Sequence, residues 1–88
     1  MSAQLPAAAV VVEAGGEPWS RVEPLLDRRT AEVAAGGVIE VVTSDPGVRT
    51  AVVRWCAGRG AALEDTAHRD ASTCFRIRVG QPPLPEEL

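Results

Sequence analysis

A two-layer α/β sandwich of the α+β type, a four-stranded mixed sheet with two helices on one face, is predicted by three features of the sequence. Short apolar runs rich in β-branched residues alternate with segments of helical periodicity. Glycine and proline fall at the changes of period, and the last third holds two strand-like runs around a polar turn. The implied order is βαβαββ. With 88 residues the chain makes one domain, placed over residues 1–80. The proline-rich acidic stretch Gln81–Leu88, QPPLPEEL, is expected to be a disordered tail.

The elements follow from local chemistry. AAAVVVEA, from Ala7 to Ala14, reads as a buried strand ended by Gly15 and Gly16. From Ser20 the period changes: Val22, Leu25, Leu26, Arg29 and Val33 recur at helical spacing, and Ser20 with Glu23 has the form of a capping box. Pro24 removes one early backbone hydrogen bond, and the run from Ala34 to Gly37 ends the helix. In the second strand, GVIEVVTS, Ile39 and Val41 share one face while Val38, Glu40 and Val42 share the other. Asp45 and Pro46 make a strong helix start, an acceptor at the N-cap followed by a proline where no N–H is needed. That helix runs through Val48, Val52, Trp55 and Cys56 towards possible left-handed stops at Gly58 and Gly60. A closing hairpin is expected to turn near His68 to Ala71, with Phe75, Ile77 and Val79 pointing at the helices and Cys74, Arg76 and Arg78 pointing away.

Composition narrows the function. The net charge is −3, with nine basic residues, all arginine, and no basic stripe, and there are two Trp, one Phe and no Tyr. Nucleic acid is disfavoured as a direct partner, because neither a phosphate-tracking surface nor a stacking platform is present. There is no apolar run of about 18 residues, and MSAQLPAAAVVV has no positive leading region, so a cytoplasmic location without membrane contact is expected. Two cysteines and one histidine make neither a disulfide framework nor a metal-ligand set, and no cofactor is expected.

The segments GEPWSRVEP, AGGVIEVV, SDPGV, RWCAGRGAAL and CFRIRV, spread from Gly16 to Val79, resemble in order and spacing the TusA/SirA family of small sulfur-carrier proteins. The family pattern is a GLxCPxP helix start, a PGE-like turn, a strand ending in DP, a helix containing W/F-C and a closing hairpin. The resemblance implies the same βαβαββ sandwich. It also implies a cysteine at the start of the first helix that takes up a sulfane sulfur as a persulfide and passes it to a partner protein. Trp19 stands at that position here. A helix N-terminus can hold a thiol as a nucleophilic thiolate, but it has no such use for an indole, so the family's sulfurtransferase nucleophile is absent.

Two cysteines, one histidine and Asp45 are the other candidates for chemistry. Cys56, in the W/F-C position beside Trp55, reads as core. Cys74 is placed on the open face of the sheet beside Arg76 and Arg78, where positive charge would lower a thiol pKa. A disulfide between the two is disfavoured because they lie on opposite sides of the sheet. His68 reads as a solvated turn residue with no nucleophile in view, and Asp45 as an N-cap. Val11, Val38 and Val42 on the open face raise a protein-binding surface there to even weight with a plain solvated sheet. The leading expectation is a non-catalytic accessory or adaptor protein that binds and supports a partner enzyme. Its contacts would lie at the first-helix lip, Glu17, Pro18, Trp19, Ser20 and Arg21, joined by Arg49 if the second helix start shares that surface. The alternative is a sulfur carrier that uses Cys74, or less favourably Cys56, as its persulfide-forming thiol.

Overall fold

The computed structural model describes residues 8–80, so the expectation for the Gln81–Leu88 tail falls outside the described residues. Six elements occur in the predicted order: β1 (Val10–Gly15), α1 (Trp19–Ala31), β2 (Val38–Thr43), α2 (Pro46–Arg59), β3 (Ala62–Arg69) and β4 (Ser72–Arg78). The sheet order is β1-β2-β4-β3. β1 runs parallel to β2, with Val10 opposite Ile39 and Val12 opposite Val41, and α1 is the crossover between them. β4 folds back antiparallel between β2 and β3, which makes β3 an edge strand.

One face of the sheet carries the core. Val12 and Ala14 of β1, Ile39 and Val41 of β2, and Phe75 and Ile77 of β4, with Val79 beyond it, are buried against Val22 and Leu26 of α1 and Val48, Val52, Trp55 and Cys56 of α2. Both helices therefore lie on the same side, as right-handed crossovers that step the same way along the sheet, from β1 to β2 and from β2 to β3, require. The most deeply buried large side chains are Leu26, Ile39 and Ile77, each fully inaccessible.

Local signals explain one helix better than the other. Asp45 caps α2 as expected, its carboxylate accepting from the Val48 N–H at 3.0 Å, with Pro46 in the first turn. Gly58 lies inside the helix, and it is Gly60, at φ +68°, that ends it in the left-handed conformation. A second glycine is forced by approach rather than by angle. A Cβ on Gly80 would overlap the Gly60 carbonyl oxygen, so chain exit and helix end are in contact.

Four sequence expectations are corrected. α1 starts two residues earlier than the Ser20 capping box requires: Pro18 is the N-cap, no side chain among the described residues caps the helix, and Ser20 lies within its first turn. The helix ends at Ala31, before the Ala34–Gly37 run. His68 is in β3 rather than in the turn, opposite Thr73 and 3.2 Å from its hydroxyl; the turn is made by Asp70, at φ +51°, and Ala71. The three open-face valines are not equally exposed either. Val11 is half exposed and Val42 partly buried, but Val38 is buried, because its cross-strand partner Arg78 reaches past it to the Gly36 carbonyl.

Among the described residues no helix is long and apolar enough to cross a membrane.

Candidate functional site

The first-helix lip forms as a surface, and its centre is less exposed than its sequence suggests. Glu17, Pro18, Ser20 and Arg21 are exposed, with Glu17 and Arg21 3.6 Å apart in a solvated ion pair that contributes little. Trp19, the first residue of α1, is half-buried and packs against the core cluster. Pro18 supplies no capping side chain, and the first intrahelical bonds reach its carbonyl from Arg21 and Val22. The N–H groups of Trp19 and Ser20 are thus left at an uncapped helix end.

Behind the lip, Trp19 and Trp55 line a groove of about 320 Å³ between the two helices, together with Glu23, Ala51, Arg54, Gly58 and Arg59. α2 presents only the Ala51 methyl group and the bare backbone of Gly58 there, which leaves space between the helices. Its far end is held by a cluster the sequence reading missed. Asp27 of α1 accepts from the Trp55 indole N–H at 2.9 Å and from Arg59 at 2.7 and 3.0 Å, and the Arg59 guanidinium lies 5.8 Å from the centre of the Trp55 ring. The i,i+4 spacing of Trp55 and Arg59 was visible in the sequence. That Asp27 would meet them was not, since the contact spans 28 and 32 positions.

Asp27 is held below the ordinary carboxylate range, chiefly by the Trp55 hydrogen bond and further by Arg59, against the opposing effect of burial. The depressed folded-state pKa sets the sign. Its contribution is fully present above the unfolded value near 3.8 and is lost as pH falls through the lower folded value. Asp27→Asn should flatten the acid limb of a stability–pH curve below about pH 4. An unaltered acid limb in urea titrations of the variant would show that the cluster has no such role.

The two thiols are separate and free. Cys56 is buried in the core, and burial pushes its thiol pKa up. Cys74 is half-buried on the open face, in a concavity of about 410 Å³ with Val42 and Ala67 beside it on the neighbouring strands and Glu40, Asp65, Arg69 and Arg76 around it. Its pKa also goes up, which corrects the expected effect of the nearby arginines. Burial is the largest cause and Glu40 adds to it, outweighing Arg69 and Arg76. Glu40 takes part in a short ion pair with the buried Arg76, at 2.8 Å, so much of that arginine's charge is met on the spot. Neither cysteine is poised as a thiolate. A thiol reagent is expected to label Cys56 slowly in the folded protein and quickly in denaturant, and rapid labelling of folded protein at Cys56 would contradict its core position.

Arg49 does not join the lip. It sits on the other flank of α2, facing β3, in a trough of about 760 Å³ lined also by Pro46, Thr50, Val53, Arg54, Leu63, Thr66, His68 and Phe75. Asp45 is occupied as a cap, and among the described residues no three His, Cys, Asp or Glu side chains come together as a metal site.

No model of a known protein family matches the chain, and no curated protein matches it.

Proposed function

We propose that this chain is a non-catalytic, TusA-like accessory protein that docks on a partner enzyme through the α1 lip and the groove behind it. The observation that carries this reading is Trp19. It stands where a TusA-like carrier would hold its nucleophile, half-buried at an uncapped helix end, with a second indole in the same groove. A large ring partly exposed in a groove, beside backbone donors that have no partner among the described residues, is the usual chemistry of an interface anchor. The βαβαββ order and the two layers are those the resemblance implies. Glu17, Pro18, Ser20 and Arg21 form the rim of this surface; Arg49 is no longer part of it.

The test uses the intact chain as bait in its own cell extract, beside Trp19→Ala and Cys74→Ser. An enzyme retained by the parent and by Cys74→Ser but lost with Trp19→Ala supports the reading. The alternative carrier reading has Cys74 as its acceptor, and its open-face concavity is the feature in its favour. Incubation with a cysteine desulfurase and cysteine, followed by intact mass, decides it: a gain of one sulfur on Cys74 would promote the carrier.

A third measurement bears on the helix end itself. Trp19→Cys places a thiol at the first residue of α1, where the helix dipole favours the thiolate. It is expected to react faster than Cys56, and an inert introduced thiol would mean that this end is closed to approach.

A further inference from the structure

The trough between α2 and β3 has a charge pattern unlike the rest of the molecule. Its floor is apolar, with Leu63 and Phe75 beneath Val53, which is 52% exposed. Its rim carries Arg49, Arg54 and His68 with the hydroxyls of Thr50 and Thr66, and no Asp or Glu lines it among the described residues. This occurs in a chain with twelve acidic residues against nine arginines. Five of those arginines, Arg21, Arg29, Arg59, Arg76 and Arg78, make ion pairs. Among the described residues Arg49 and Arg54 make none, so two cations stand without counter-charge on either side of an exposed valine.

The shape fits an extended chain better than a compact ligand. Small-molecule sites enclose most of their ligand's surface, whereas this trough is an open channel along one flank of a helix. Its other wall is β3, an edge strand bonded only to β4 among the described residues, and an extended peptide is the natural neighbour of such an edge. Five residues apart on α2, Arg49 and Arg54 differ by about 140° around the helix axis, so the two guanidinium groups border the trough from different sides rather than in one row.

We propose that this trough is a docking site for an extended acidic peptide segment of a partner protein, one that sets an apolar side chain on Val53, Leu63 and Phe75 and carboxylates against Arg49 and Arg54. The site is independent of the α1 lip; Arg54 alone borders both grooves.

Random peptides displayed on phage and selected on the immobilised full chain provide the probe, and the best binder is then synthesised with a copy in which each Asp and Glu is replaced by its amide. Selected sequences should be enriched in Asp and Glu beside Leu, Ile or Val. The synthetic peptide should bind about tenfold or more weakly to Arg49→Glu, and the amide copy should be weakened to a similar degree. Val53→Asn should also weaken binding, and Trp19→Ala should leave it unchanged, which keeps the outcome separate from that of the lip. Thermal melts confirm that the variants are folded. Selection without acidic enrichment, binding indifferent to Arg49→Glu, or loss of binding in Trp19→Ala would each overturn the proposal. Displacement by an equal concentration of inorganic phosphate would also overturn it, because it would reduce the site to one for simple anions.

Discussion

Trp55→Ala is expected to cost about 3–5 kcal/mol of folding stability. Trp55 is 5% exposed, belongs to the core, borders the groove between the helices, and with Arg59 holds Asp27 of α1 to α2. Truncation therefore opens a large cavity, removes a hydrogen bond to an ionised carboxylate and takes away the ring beneath Arg59. Domains of this size have about 5–15 kcal/mol in total, so the variant should sit close to unfolding at ambient temperature. Trp55→Phe separates the contributions. It keeps most of the apolar bulk and loses the indole N–H, and should cost about 1–2 kcal/mol. Urea unfolding of both variants measures the difference. A Phe variant as unstable as the Ala variant would mean that the Asp27 bond, rather than packing, dominates.

Trp19→Ala is expected to separate binding from folding. A Trp anchor in a desolvated interface commonly costs about 2 kcal/mol or more of affinity when truncated. The ring is half-buried against the core, so the variant should also lose about 1–2 kcal/mol of stability, more than a freely exposed side chain would. The decisive observation is a folded Trp19→Ala protein, verified by thermal melt, that no longer retains the partner enzyme. Trp19→Phe serves as the control, since it keeps an apolar ring at the helix end and should recover part of the affinity. Retention of the partner by folded Trp19→Ala, together with loss of function in Cys74→Ser, would remove the lip from the account and favour the open face.

Much of the architecture was legible because it is written in neighbouring residues. Asp45 and Pro46 start α2 by bonds that close within a single turn, and Gly60 ends it through its own backbone freedom. The alternation in β2 and β4 sorted Ile39, Val41, Phe75 and Ile77 onto the helix side, where they are buried. The same alternation placed Cys74 on the opposite face from Cys56. Local patterns also misled: Ser20 and Glu23 have capping-box spacing, yet the helix begins at Trp19, ahead of them, and it ends at Ala31, before the Ala34–Gly37 run.

What the sequence by itself determined, then, is the element order, the two layers and the face on which the residues of β2 and β4 lie, since periodicity and turn chemistry act within a few residues. Only the tertiary structure decided that β4 enters the middle of the sheet and leaves β3 at the edge, a choice made by pairings across the whole chain. It decided that Asp27 meets Trp55 and Arg59, that Trp19 is half-buried, and that Arg49 faces β3 rather than the lip. It also reversed the expected effect on Cys74, whose neighbouring arginines are outweighed by burial and by Glu40. Burial and charge at a site are sums over elements distant in sequence, and neither sum exists until those elements are packed together.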